Sequence, residues 1–294
     1  MKPKLVVVIP TKDRRALLER ALESVRQQSY PDYRVVIVND GSRDDTREYL
    51  DALEDSRIQV IHHVKARGVN AARNEAFRTL KENEWAVQLD DDDMLLPNTL
   101  ETIARVIKET PGNIQVLSFN AITRTPKGDY ASGYQFAEGQ TYADPTYENF
   151  MLGLPNHGDG RMVLKWSLFP KYLFAEDVNG FEGEWWLLIA REGASIRYVP
   201  DQTTLIDQSH GQEHLSNVAA RRNPASFVRS YRRIFRDHAR FFATHPRQAM
   251  PSAMSGMKLS VRSFDIPSGL YFFWLYCRSV FQIALGTQRM KKQP

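Results

Sequence analysis

Apolar residues fall in short blocks along the first half of the chain, and the blocks alternate between two periods. Leu5–Ile9 is a continuous, mostly β-branched run, the pattern of a parallel strand buried on both faces. Pro10-Thr11-Lys12-Asp13 ends it, and Leu17, Leu18, Ala21, Leu22 and Val25 then recur at helical spacing as far as Gln28. Arg34–Val38 predicts a second strand, closed by Asn39-Asp40-Gly41-Ser42. The next helix has Asp45 and Glu48 set as a capping box and Tyr49, Leu50 and Leu53 on its apolar face. Ile58–His62 predicts a third strand, and Asn70–Lys81 a helix with Ala72, Ala76 and Leu80 on one side. Trp85–Leu89 predicts a fourth strand, followed at once by Asp90-Asp91-Asp92-Asp93. Met94-Leu95-Leu96-Pro97 returns to apolar residues before a helix carrying Leu100, Ile103, Ala104 and Ile107. Val116–Ile122 reads as a further strand and Thr125–Asp129 as a turn. The succession is βαβαβαβ, which predicts an α/β fold with a parallel sheet.

The pattern loosens afterwards. Ser132–Tyr147 reads as loops, Glu148–Leu152 as one helical turn, and 155–160 as a glycine-containing loop. Met162–Leu164 is strand-like and Ser167–Phe174 irregular. Trp186, Leu187, Ile189 and Ala190 suit a helix, and Ile196–Val199 a strand. Phe227–Phe242 predicts a helix with an aromatic stripe and many arginines around it. Leu270–Tyr276 is the most apolar segment, interrupted by Arg278 and ended by Gly286.

Composition narrows the setting. A chain of 294 residues has room for a substantial core. Its net charge of +4 is compatible with an anionic substrate or membrane surface. Cys277 is the only cysteine, so no disulfide within the chain is available and a reducing, cytoplasmic compartment is expected. Leu5–Ile9 is too short for a signal peptide, and no apolar run reaches the length of a membrane span. The arginine-rich stretch after Asn223 comes with no nucleic-acid motif, so no nucleic-acid partner is expected. The aromatic, basic-flanked segment 270–286 suggests peripheral contact with the inner face of the plasma membrane, with packing onto the rest of the chain or onto a dimer partner as equal alternatives. Oligomeric state is not legible.

The chemistry concentrates on the acidic run. Four carboxylates at the end of a hydrophobic strand repel one another and call for a cation or for retained protons. Oxygen ligands suit Mg2+ or Mn2+, usually shared with substrate phosphates. A merely solvated acidic loop fits less well, because the run is wedged between core segments at the end of a strand where α/β sheets hold ligands. Asp40 lies at another such strand end, and Arg73 and Asn74 sit in the first turn of a helix, where phosphate is favoured. Ile9-Pro-Thr-Lys-Asp13 has no glycine, so neither a dinucleotide fingerprint nor a Walker loop follows the first strand. His62 and His63 lie at the end of the third strand with no expected catalytic role.

Four pieces in order carry a resemblance: Val8-Ile-Pro-Thr11; Val38-Asn-Asp-Gly-Ser42 followed by Asp45-Thr46; Gly68-Val69 leading to Ala72-Arg-Asn74; and Leu89-Asp-Asp-Asp-Asp93. Together they resemble family 2 of the nucleotide-sugar glycosyltransferases, closely over roughly the first 110 residues and more loosely to about 216. The resemblance implies a GT-A type, Rossmann-like, mostly parallel sheet flanked by helices, with a helical C-terminal extension. Residues 1–216 would form the catalytic domain, 1–122 its nucleotide-sugar half and 123–216 its acceptor half; 217–294 would be the basic, aromatic extension. Pro10, Thr11, Asp13, Asp40 and Arg73 would line the nucleotide. Asp90 would lie near the ribose, with Asp91 the variable middle residue of the acidic motif, Asp92 the ligand of Mn2+ or Mg2+, and Asp93 the acid that often follows. The family often has Tyr-Asn where this chain has Lys12-Asp13. It usually has Glu-Asp before an aromatic-Leu helix, where this chain has Gly183-Glu184. The resemblance assigns Glu184 as the base that deprotonates the acceptor hydroxyl, with Glu182, Glu176 and Asp177 in reserve. His210, with His214 second, would complete the metal shell. The implied reaction moves a sugar with inversion from a nucleoside diphosphate sugar, most often a UDP-sugar, to a glycan or lipid-linked acceptor in bacterial surface polysaccharide synthesis. Two other readings stay open: a sugar nucleotidyltransferase, and a nucleotide-sugar or cation-binding protein without transfer activity.

Overall fold

The computed structural model describes residues 2–152, 160–169, 171–211 and 215–290, and the side chains of 215–218 and 285–290 are not described. The chain divides into two compact units, Met1–Glu176 with Ile189–Gln212, and Asp177–Leu188 with Glu213–Pro294.

The first unit is built on one sheet. Its strands are β1 (Lys4–Thr11), β2 (Tyr33–Asn39), β3 (Ile58–His62), β4 (Glu84–Gln88), β5 (Met94–Leu95), β6 (Val116–Thr125), β7 (Gly128–Ser132), β8 (Arg161–Lys165) and β9 (Ile196–Asp207). Their order is β3-β2-β1-β4-β8-β6-β9-β5, with β7 paired to β6 as a hairpin. β3, β2, β1 and β4 are mutually parallel, β8 runs against β4 and β6, and β9 runs parallel to β6. The sheet is therefore mixed: β1, β2, β3, β4, β6 and β9 point one way, and β5, β7 and β8 the other. The β-branched runs fall in the centre, where Val6–Ile9, Val36–Val38 and Ala86–Val87 are inaccessible on both faces. That burial is why these segments read as continuous apolar runs rather than as alternating ones.

Helices α1 (Arg15–Arg26), α2 (Thr46–Asp51), α3 (Val69–Phe77), α4 (Thr99–Glu109) and α5 (Tyr147–Leu152) complete this unit. α1 buries Leu17, Leu18, Ala21, Leu22 and Val25, the residues whose spacing predicted it. The expected capping box of α2 is absent: Asp45 makes no side-chain cap, the Thr46 N–H donates to Asp44 at 3.1 Å, and Asp45 pairs with Arg15 at 3.2 Å. Asp44, one residue earlier, reaches the orphan N–H first.

α6 (Gly183–Arg191) has its residues through Leu188 in the second unit and those from Ile189 in the first. The second unit contains α7 (Leu215–Arg222), α8 (Pro224–Asp237), α9 (Ala239–Thr244), α10 (Pro246–Arg262) and α11 (Ile266–Met290). The single helix expected over 227–242 is two, α8 and α9, broken at His238. Asn223 caps α8 through its side chain and Pro224 occupies the first turn, a strong start signal. The second unit also takes in 177–188, which the sequence division at 216/217 does not anticipate. Phe181 packs on Phe227 and Tyr231, and Arg229 and Arg233 hold Asp177. Among the described residues no helix is long and apolar enough to cross a membrane. The expected loop 155–160 and His214 lie outside the described residues, apart from Gly160.

Candidate active site

Parallel strands deliver their C-terminal ends to one edge of the sheet, and here that edge collects charge. β1 ends at Thr11, β2 at Asn39 and β4 at Gln88, so the loops 11–14, 40–43 and 89–93 lie side by side. The Asp40 N–H donates to the Thr11 carbonyl at 2.9 Å, and the Leu89 N–H to the Val8 carbonyl at 3.0 Å. Pro10 is the penultimate residue of β1, opposite Val38. Asp13, in the left-handed region at φ 55°, ties the first two loops: its N–H donates to Ser42 Oγ at 2.9 Å and its carboxylate accepts from the Arg43 N–H at 2.6 Å.

Asp40 is buried and fully engaged. It accepts from the N–H groups of Arg67 and Gly68, both at 2.8 Å, and meets His63 Nδ1 at 2.7 Å. It thus fixes the loop that starts α3. Gly41 makes this contact achievable: at φ 69° a Cβ would stand 2.8 Å from the Ala66 nitrogen. α3 in turn presents Arg73, whose Nη2 donates to Asp90 Oδ1 at 2.7 Å. Asn74 next to it holds both the N–H and the carbonyl of Phe174 at 2.9 Å.

The acidic run is threaded with arginines. Arg14 Nη1 donates to Asp91 Oδ1 at 3.1 Å and to Asp92 Oδ2 at 2.8 Å, while the Thr11 hydroxyl donates to Asp91 Oδ2 at 2.8 Å. Arg161 pairs with Asp93 and lies 3.7 Å from Asp90. Asp93 also accepts from the Asp207 N–H at 3.2 Å. Asp207 pairs with Arg20 at 2.5 Å and accepts from the Ser209 N–H and hydroxyl at 2.9 and 2.6 Å.

This setting moves the carboxyls in opposite directions. Burial pushes Asp91 up to about 7, beyond what Arg14 restores, and Asp92 adds to the rise. Burial likewise raises Asp93, with Asp90 and Asp92 opposing the pull of Arg161. For Asp90 the upward push of burial is outweighed by Arg73 and then Arg161, which hold it well below the usual carboxylate range. Burial would raise Asp207 too, but hydrogen bonds from Ser209 and Arg20 win and hold it at about 2.

The two residues expected to hold a divalent cation stand close together at this edge. His210 Nε2 faces Asp92 Oδ2 across 3.5 Å, close to the roughly 3 Å separating two ligand atoms that share one octahedral ion. The Arg14 guanidinium already serves Asp92 as a resident cation. Among the described residues no group of three or more His, Cys, Asp or Glu side chains converges to hold a metal. Asp92 and His210 would therefore supply the protein's share, and substrate phosphates and water the rest, as suits Mg2+ or Mn2+.

Glu184 belongs to the second unit. Arg233 and the Ser230 hydroxyl both bind its carboxylate. Of its reserves, Glu176 is held by Asn74, Arg67 and Arg78, and Asp177 by Arg229 and Arg233.

Three participants were not legible from the sequence. Arg14 directly precedes α1 after the strand-end loop, and no local pattern marks it. Arg161 reaches this edge because β8 runs antiparallel, so it begins where the parallel strands end; a charged residue opening a buried strand was the one available signal. His63, for which no catalytic role was expected, sits 7 % exposed against Asp40, in a positioning role.

Comparison with known proteins identifies the family and the fold. Residues 6–153 match the family model described as glycosyl transferase family 2. A Campylobacter jejuni GalNAc(5)-diNAcBac-PP-undecaprenol beta-1,3-glucosyltransferase is 26% identical over 193 residues, 65% of this chain and 60% of that protein. The putative colanic acid biosynthesis glycosyl transferase WcaA of Escherichia coli is 37% identical over 100 residues, 33% of this chain and 36% of that protein. The chain thus spans less than two thirds of the length of these relatives. Among solved structures, Staphylococcus aureus TarS 1-349 in complex with UDP-GlcNAc superposes with a TM-score of 0.64 at 18% identity, covering 89% of this chain and 73% of that one. A mannosyltransferase from Pyrobaculum calidifontis in complex with GDP-Man and Mn2+ gives a TM-score of 0.56 at 18% identity, covering 100% of this chain and 89% of that one. At these identities the structural likeness is one of fold, the GT-A type.

Proposed function

The chain belongs to glycosyl transferase family 2, and we propose that it moves a sugar, with inversion, from a nucleoside diphosphate sugar to a hydroxyl of a glycan or lipid-linked acceptor in bacterial surface polysaccharide synthesis. UDP is the nucleotide we assign. The undecaprenol-linked substrate in the name of the Campylobacter relative and the UDP-GlcNAc bound by TarS support the acceptor and donor classes.

The observation that carries the reading is the strand-end cluster in which Arg14, Arg73 and Arg161 interleave with Asp90–Asp93 beside His210. Such an edge can receive a diphosphate and a divalent ion together. Arg73 and Arg14 supply positive charge to the phosphates. Asp40 and Asp13, locked into the neighbouring loops, shape the wall for base and ribose with Pro10 and Thr11. Asp92 and His210 would hold Mn2+ or Mg2+, and the bound ion would supply positive charge to the leaving diphosphate. Glu184 is assigned the base, its carboxylate oriented by Arg233 and Ser230. The Arg233 ion pair also favours a second reading of that residue, in which Glu184 simply fastens α6 to α8.

Thermal unfolding with UDP, GDP, dTDP and CMP, each with and without Mn2+, tests the donor site. A ligand that binds only the folded state raises the melting temperature by mass action. Stabilisation by UDP that requires Mn2+ and disappears in Asp92→Asn is expected. No stabilisation by any nucleotide would remove the donor site, and release of sugar from UDP-sugars by the wild type would separate a transferase from a pure binding protein.

A further inference from the structure

α11 has two contrasting faces. Phe272 is fully buried, packed where a Cβ on Gly256 of α10 would stand 2.7 Å from its ring, and Gly269 faces Ser260. The other face leaves Ile266, Leu270, Phe273, Trp274, Val280 and Phe281 exposed, with Cys277 on the same stripe. Their spacing is that of one helical face, and at 1.5 Å per residue the stripe is roughly 22 Å long.

The turn before α11 is more unusual. The Asp265 N–H bonds the Ser260 carbonyl at 2.9 Å and the Phe264 N–H the Val261 carbonyl at 3.3 Å, an ending whose left-handed position ordinarily belongs to glycine. Here that position is Phe264, at φ 57° and 91% exposed. A bulky left-handed residue is disfavoured by its Cβ and, in water, by its bare ring; glycine would remove both penalties. Val261 and Ile266 beside it are 75% and 72% exposed. The folded unit gains nothing visible from this triad.

Charge identifies what covers it. Lys258 and Arg262 are exposed in the last two turns of α10, Arg278 is exposed on α11 over the Trp274 ring, and Arg289, Lys291 and Lys292 follow in the sequence. Asp265 is the sole acidic residue from His238 to Pro294, and its carboxylate accepts from the Ser268 N–H. A second copy of this face would bring lysines and arginines against their like, with Asp265 the one acid to answer them. Anionic headgroups supply the missing charge and acyl chains the missing apolar contact. We propose that the α10–α11 turn and the exposed face of α11 dock onto a bilayer containing anionic phospholipid, with Phe264, Ile266 and Leu270 entering it. The inference stands independently of the transfer reaction.

The full chain, labelled with an environment-sensitive dye at its single Cys277, is mixed with vesicles of phosphatidylcholine, with or without about one quarter phosphatidylglycerol, and sedimented. Binding to the anionic vesicles with a blue shift of the dye is expected, about tenfold weaker without phosphatidylglycerol or at high salt. Phe264→Gly should keep or raise the melting temperature while weakening binding about fivefold or more. Lys258→Glu with Arg262→Glu should weaken it through charge alone. Absence of binding to anionic vesicles, or wild-type binding by Phe264→Gly, overturns the proposal. A dimer in sedimentation velocity without vesicle binding overturns it in favour of a second copy.

Discussion

Arg14→Met tests whether the resident guanidinium competes with the metal. Arg14 Nη1 lies 2.8 Å from Asp92 Oδ2 and 3.1 Å from Asp91 Oδ1, and the three side chains are only 20%, 12% and 8% exposed. An ion that takes the lone pair of Asp92 Oδ2 facing Arg14 displaces this N–H. A hydrogen bond between charged groups contributes about 1.5–3 kcal/mol net. At 1.4 kcal/mol per factor of ten, removing the competitor should tighten Mn2+ binding roughly 10- to 100-fold. Loss of a neighbouring positive charge acts in the same direction. Methionine retains much of the apolar stem, so packing is largely conserved. The assay is calorimetric titration of Mn2+ into wild type and variant without nucleotide, at one pH and ionic strength, with circular dichroism to verify folding. Equal or weaker binding by Arg14→Met would refute the reasoning, since Arg14 and the ion would then use different sides of Asp92.

Other expectations follow from the same edge. Arg161→Met leaves buried Asp93 without its counter-charge, so urea unfolding should register a loss of about 3 kcal/mol or more, largely recovered in Arg161→Met/Asp93→Asn. Full recovery failing to appear would assign the loss to packing. Asp207, held at about 2 in the folded chain against an ordinary value of 3.8, contributes about 2 kcal/mol that is complete above about pH 5 and lost progressively as pH falls through 2. The stability gap between wild type and Asp207→Asn should therefore close between pH 5 and pH 2 in acid-unfolding measurements. Glu184→Gln should lower the transfer rate about a hundredfold or more with UDP-induced stabilisation intact. An unchanged rate combined with a lower melting temperature would leave Glu184 only its α6–α8 contact.

The alternation of strand and helix was readable over the first 110 residues because each element signals itself locally. A parallel strand buried on both faces must be apolar throughout, and α1 must repeat its apolar residues every three or four positions. The charge of the acidic run was readable for a related reason, since four carboxylates directly after Trp85–Leu89 must be answered by cations or protons at a buried strand end. Where local signals compete, the reading was coarser. His238 divides a stretch that looks like one helix, and Asp44 rather than Asp45 supplies the cap of α2.

The sequence by itself thus determined the α/β class, the order of the first strands, and the loops that carry carboxylates. Only the tertiary structure decided which cations meet those carboxylates. Arg161 comes from 68 positions beyond Asp93 because β8 runs against its neighbours, and His210 comes from the end of β9, which runs parallel to β6 and so finishes at the same edge. Strand direction and order depend on the mutual burial of whole elements, a long-range energy that no local period records. The same holds for Phe264: its side chain is visible in the sequence, but its left-handed backbone and full exposure exist only once α10 and α11 have packed.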